Sequence, residues 1–321
     1  MKYINFDKTG VYKKLSKQAE KAFVLKEKLD SKRVGECQVP MAAGLKYSWA
    51  AKAVDEQTVA LLQELAEEQE LIAKYKAIIN GEMMNTGEKR KVLHHLTRGQ
   101  QGQSVTENGK DIGEFYRKEL SRFCEFASAV HGGKYKGSTG KDFTTVVQIG
   151  IGGSDLGPRA MYLALDNWAI KEGKKKLEAK FISNVDPDDA SAVIASCHLE
   201  QCLFILVSKS GTTQETLANE LFVKDKLTKA GLDSSKHMIA VTSETSPLAR
   251  NSAYLDSFYI DDYIGGRYSS TSAVGGCVLS LAFGPDVFKE FLAGAAEADK
   301  TALETDVLKN AALLDALIGV W

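Results

Sequence analysis

The sequence predicts an α/β fold, a doubly wound, parallel five-stranded sheet preceded by an N-terminal helical segment. Three observations carry the prediction. Apolar, β-branched runs recur five times after residue 141. Segments of helical pattern separate them. Several runs end in glycine- or hydroxyl-rich turns of the kind that join a strand to the helix after it. Each run alone is as consistent with buried helix as with strand; the repeated alternation decides for strands.

Taken in order, the chain is helical in pattern up to about Val130. Val59, Leu62, Leu65, Ala66 and Ile72 recur at helical spacing, and Glu67, Glu68 and Glu70 fill the outer face. The polar, glycine-containing stretch Lys134–Lys141 reads as a loop between domains. Thr144–Ile149 is the first strand, with a helix from Leu156. Further strands are expected at Phe181–Val185, Cys202–Val207, Met238–Val241 and Leu255–Ile260. A helix over Thr213–Leu227 closes on Lys229-Ala230-Gly231. Beyond Gly276 the pattern is helical again through Phe288–Ala298 and Val307–Leu317. The chain ends on the apolar segment Leu313–Trp321, which is expected to lack something to pack against.

At 321 residues the chain is long enough for about two domains, each with its own core. Its hydrophobic fraction of 44% and charged fraction of 26% are those of a soluble globular protein. Lys and Arg number 41 against 42 Asp and Glu, so no basic excess points to nucleic acid. No apolar run is long enough to cross a bilayer, and the N-terminus lacks the apolar stretch of a secretory signal. Five cysteines without a CxxC pair read as reduced thiols in a cytoplasmic protein. Cys197-His198 with Cys202 lacks the further ligands that a metal site needs.

Ligands of a parallel sheet bind at the carboxyl ends of its strands, and three turns there are chemically loaded. The first is Gly150-Ile151-Gly152-Gly153-Ser154-Asp155-Leu156-Gly157. Its glycines let the backbone approach an anion, and a helix start adds N–H donors. Asp155 occupies the third glycine position of a dinucleotide fingerprint, which weakens that reading. The second is Ser208-Lys209-Ser210-Gly211-Thr212-Thr213, directly after Leu203–Val207. Four hydroxyls, an ammonium and a glycine at one helix start suit a phosphate, and it is not a Walker A loop. A plain helix cap would need only one of those hydroxyls. The third is Gly265-Gly266-Arg267-Tyr268-Ser269, where a permanently charged guanidinium suits an oxyanion, although a surface arginine in a turn would look the same. His94-His95 reads as a pair of helical histidines making structural hydrogen bonds, and Lys174-Lys175-Lys176 as a solvated face.

These turns, together with Ile79-Asn80-Gly81-Glu82 and Lys91-Val92-Leu93-His94, resemble the phosphoglucose isomerase (glucose-6-phosphate isomerase) family. Essentially the whole chain is similar to the first part of such enzymes. The resemblance implies a flavodoxin-like sugar isomerase domain over 142–285, after a helical region over 1–141. Residues 286–321 would lead to a second domain outside this sequence. It implies that Gly153 and Ser154 contact the sugar and that Ser208, Lys209, Ser210, Gly211, Thr212 and Thr213 hold the phosphate. Arg267 would stabilise an enediolate.

What the resemblance implies is interconversion of D-glucose 6-phosphate and D-fructose 6-phosphate by a cytoplasmic homodimer, with no cofactor or metal. Moving a proton between C2 and C1 also needs a carboxylate base, and ring opening needs an acid–base group. The family's glutamate, histidine and lysine for these steps match nothing here, and Glu215 is not promoted to that role on proximity. The fragment alone is therefore expected to bind a phosphosugar without turning it over. A non-catalytic sugar-phosphate-binding module is the alternative, since the same turns would serve it.

Overall fold

Five apolar runs assemble into one all-parallel sheet in the computed structural model, which describes residues 1–99 and 102–321. The strands are β1 (Thr145–Ile149), β2 (Glu178–Ile182), β3 (Cys202–Val207), β4 (Met238–Thr242) and β5 (Ser257–Tyr259). Their order is β2-β1-β3-β4-β5, with all neighbours parallel. That is the flavodoxin-like order, in which the sequence of strands reverses beside β1. All six residues of β3 are buried, because a central parallel strand is covered on both faces.

Helices cover the sheet. They are α1 (Ile112–His131), α2 (Leu156–Lys171), α3 (Pro187–Ala195), α4 (Gln214–Lys229), α5 (Ala273–Phe283) and α6 (Pro285–Thr301). One core joins α1, α2 and α5 to one face of the sheet through Phe123, Tyr162, Leu203, Ile205 and Phe258. The other face carries Ile149, Phe204, Leu206, Ala190, Val223 and Leu227. Every residue of α5 is buried, so it has no polar stripe. Phe288 at the start of α6 meets Phe123 edge-on at 5.6 Å.

The chain divides into two compact units. The sheet unit comprises 85–99 and 104–292, so it takes in α1 as well as the sheet. This differs from the expected 1–141, 142–285 and 286–321, because amphipathic α1 buries its apolar face on the sheet's own core. The loop at 134–141 accordingly lies within that unit rather than between domains. The other unit includes 1–84 and 293–321 and is built on the helices Tyr12–Ala19, Glu56–Glu68, Leu71–Ile79 and Ala311–Val320. Val59, Leu62, Leu65 and Ala66 are buried there as their spacing predicts. The apolar C-terminal segment, expected to lack a partner, has one: Leu313, Leu314 and Leu317 share a core with Leu15, Trp49 and Leu62. Trp321 Nε1 also donates to the Ala53 carbonyl at 3.1 Å. Among the described residues no helix is long and apolar enough to cross a membrane.

Several element limits shift from expectation. The strand expected at Phe181–Val185 lies at Glu178–Ile182, and Val185 is exposed. The run Leu255–Ile260 shortens to Ser257–Tyr259. The final helix begins at Ala311, with Asn310 capping it by accepting from the Leu313 N–H, while Val307 is buried ahead of it. His94 and His95 lie on a short 3-10 turn, His94–Thr97, rather than on an α-helix.

Candidate phosphosugar site

The turn at 150–157 leaves β1 and the turn at 208–213 leaves β3, the two strands flanking the point where strand order reverses. Ligands of such sheets bind outside that point. Ser208 is buried, its Oγ lies 3.0 Å from Thr213 Oγ1, and it accepts from the Gly211 N–H at 3.1 Å. Thr242, at the end of β4, donates to the Ser208 carbonyl at 2.7 Å. The Thr212 N–H and hydroxyl both donate to Ser210 Oγ, at 3.2 and 3.0 Å. Gly211 has φ +68°, and a Cβ there would overlap Ser246 Oγ, so the turn needs glycine on two counts.

Thr213 stands at the N-cap of α4, yet its side chain makes no capping bond. The turn's hydroxyls bond to one another and to turn amides instead of to the first helical N–H groups. Those N–H groups lie at the positive end of a 16-residue helix, a setting that favours an anion.

A cleft of about 490 Å³ opens over this turn, with Ser154, Ser208, Lys209, Ser210 and Thr213 in its wall. That is within the size range of small-molecule sites. Lys209 points sideways, donating to the carbonyls of Asp262 and Ile264 at 3.0 Å each, with the Asp262 carboxylate at 3.7 Å. Burial pushes its ammonium below the ordinary lysine value, and Asp262 opposes that shift. Its ammonium thus fastens the 208–213 turn to the segment ahead of Gly265.

That segment reaches the first turn as well. Gly153 packs directly on the Gly266–Arg267 backbone: a Cβ on it would lie 2.6 Å from Arg267 N and overlap the Gly266 carbonyl. Ser269 Oγ approaches the Gly153 carbonyl at 3.4 Å. Arg267, on the 3-10 turn Gly266–Thr271, is exposed and has no ion-pair partner among the described residues. Asp155, at the would-be third glycine position, is buried and pairs with Arg159 at 2.8 Å. Burial pushes its carboxyl up, and Arg159 opposes that.

All three turns named from the sequence therefore meet at one end of the sheet. Ser154, Ser208, Lys209, Ser210 and Thr213 line the cleft, while Gly211 and Thr212 shape the turn behind it. Gly153 and Arg267 touch through backbone. Sequence reading passed over Ser243, Thr245 and Ser246, which also line the cleft. They follow β4 as the 208–213 hydroxyls follow β3, so the same hydroxyl density was a usable signal. It also passed over Arg90 and Glu88 in the wall, which carry no motif.

A family model described as phosphoglucose isomerase matches residues 47–321. The chain belongs to the phosphoglucose isomerase family. Among the relatives it is similar to, the glucose-6-phosphate isomerase of Treponema denticola is 56% identical over 328 residues, covering 100% of this chain and 62% of that protein. The glucose-6-phosphate isomerase of Borreliella burgdorferi (strain B31) is 45% identical, covering 93% of this chain and 57% of that protein. A solved glucose-6-phosphate isomerase structure from Chlamydia trachomatis superposes with a TM-score of 0.88 at 38% identity, over 99% of this chain and 60% of that one. The chain thus spans about three fifths of the length of these phosphoglucose isomerase relatives.

Proposed function

We propose that this chain holds the phosphate anchor and the electrostatic clamp of an aldose-ketose isomerase that interconverts D-glucose 6-phosphate and D-fructose 6-phosphate, as in glycolysis and gluconeogenesis. The observation that carries the reading is the hydroxyl-rich turn at the carboxyl end of β3, whose hydroxyls leave the start of α4 uncapped toward the cleft. A phosphate seated on Ser208, Ser210, Thr212 and Thr213 with the α4 N–H groups places the sugar toward Gly153, Ser154 and Arg267. Because the phosphate does not react, its binding energy can orient the reacting carbons. Arg267, with no ion-pair partner among the described residues, is suited to the oxyanion of an enediolate. Ring opening and proton transfer between C2 and C1 fall to groups in the part of the relatives' length that this chain does not span. The sheet unit, α1 included, acts as a sugar isomerase domain. The setting we propose is a cytoplasmic homodimer.

Two measurements test this reading. Calorimetric titration with glucose 6-phosphate is expected to show binding that weakens about tenfold in Ser210→Ala/Thr213→Ala, from the loss of two hydrogen bonds to an anion. Unchanged affinity would return the turn to a structural role. A coupled assay on the chain alone is expected to show no glucose 6-phosphate turnover. Measurable turnover would contradict the placing of the proton-transfer groups elsewhere.

A further inference from the structure

Two hydrogen bonds converge on a single peptide group ahead of Arg267. The Ile264 carbonyl accepts from Lys209 Nζ at 3.0 Å. The Gly265 N–H of the same peptide donates to His94 Nε2 at 2.8 Å. Lys209 comes from the turn after β3, and His94 from a 3-10 turn 171 positions earlier than Gly265. A planar peptide fixed at both its polar ends cannot swivel, so the direction in which the chain continues to Arg267 is set. On the far side of Arg267 the Tyr268 ring meets the His94 ring edge-on, with centroids 6.0 Å apart and planes at 86°. One imidazole therefore holds the residues on both sides of an arginine that has no ion-pair partner among the described residues.

We propose that His94 is a positioning residue: as a neutral acceptor it holds Gly265–Tyr268 so that Arg267 faces the carbon end of a bound phosphosugar. This rests on the site reading proposed above. Lys209 gives the same peptide its second hold, so the phosphate turn and the arginine turn move as one piece. The acceptor role requires Nε2 without a proton. Burial favours that neutral form, and so do the two cations facing the ring, Arg98 from its own segment and Lys209 from the phosphate turn. Tyr268 is the other titratable group against it. Protonation would set two donors, Nε2–H and Gly265 N–H, against each other and release the turn.

The test uses the intact chain and two probes at constant ionic strength. Inorganic phosphate reports the anchor, and 6-phosphogluconate, whose C1 carboxylate places a negative charge at the carbon end, reports the anchor and Arg267 together. His94→Ala is expected to weaken 6-phosphogluconate about tenfold, as for loss of a charge-assisted contact, with inorganic phosphate unchanged. Arg267→Ala should show the same loss, and the double variant no more than either single one. His94→Gln, which keeps an acceptor, should restore affinity and lack the weakening seen in the unsubstituted chain as pH falls through the lowered histidine value. The pH comparison stands even if His94→Ala does not fold. Full 6-phosphogluconate affinity in His94→Ala overturns the inference. So does an equal loss for both probes, or the same pH profile in His94→Gln. If the unsubstituted chain binds neither probe, the site reading itself falls.

Discussion

At the scale of single residues, the site depends on backbone closeness as much as on side-chain chemistry. Gly153 has no room for a Cβ against Gly266 and Arg267. We predict that Gly153→Ala displaces the arginine turn, lowers the melting temperature and weakens 6-phosphogluconate binding more than phosphate binding. Equal binding of both probes with unchanged stability would contradict the contact. The hydroxyls at 208–213 were legible because four of them fall within six positions and follow an apolar run. The ammonium of Lys209 was read with them as a phosphate ligand, yet it turns to the carbonyls at 262 and 264, more than fifty positions away. His94 was read as making a structural hydrogen bond, and it does make one. That its partner is Gly265 depends on a tertiary contact no local pattern encodes.

Among elements, α1 is fastened to the edge strand β5 by a charge network in which Glu119 is buried while Arg122 and Asp256 are partly exposed. Arg122 donates to Glu119 at 2.8 and 2.9 Å, to Asp256 at 3.0 Å and to the Ser257 carbonyl at 2.8 Å, and Glu119 accepts from the Tyr259 N–H at 2.8 Å. Removing the guanidinium would leave Glu119 buried and uncompensated. Arg122→Met is expected to cost about 3–5 kcal/mol in urea unfolding, as for a broken buried pair. A loss under about 1 kcal/mol would reduce the network to a surface pair. The helix Glu56–Glu68 offers a milder test. Asp55 caps it, accepting from the Thr58 N–H and hydroxyl at 2.7 Å each. Burial acts to raise the Asp55 carboxyl, but the bonds from Thr58 and Gln18 outweigh it and hold the group below its ordinary value. Its stabilisation is therefore full above the ordinary carboxylate range and lost as pH falls through the lowered value. Asp55→Ala should cost about 1 kcal/mol at neutral pH, with the difference closing in acid.

Strands were legible where a short apolar run ends at a turn, as in fully apolar β3, and helices where one amphipathic period dominated. Limits slipped where polar residues sit on a strand. Edge strand β2 carries Glu178, which pairs with Lys175, and Lys180, which reaches Ser196, so its apolar signal starts late. The start of α5 was obscured for the opposite reason, since a helix buried on every side has no amphipathic period.

For the whole molecule, the division into units was the least legible feature. Residues 1–84 and 293–321 share one unit although they are far apart in sequence, and α1 joins the sheet. Hydrophobic spacing says that a face is buried but not which surface buries it. The order of the sheet, by contrast, explains why three turns spread over more than a hundred residues meet: parallel strands place all their carboxyl ends on one side. The central claim is that this common end seats the phosphate of a hexose 6-phosphate. Amide chemical-shift mapping of the isotope-labelled chain during titration with glucose 6-phosphate tests it most directly. The account predicts saturable shifts concentrated at 208–216, 153–154 and 265–267; the absence of shifts there, or shifts confined to other parts of the chain, would contradict it.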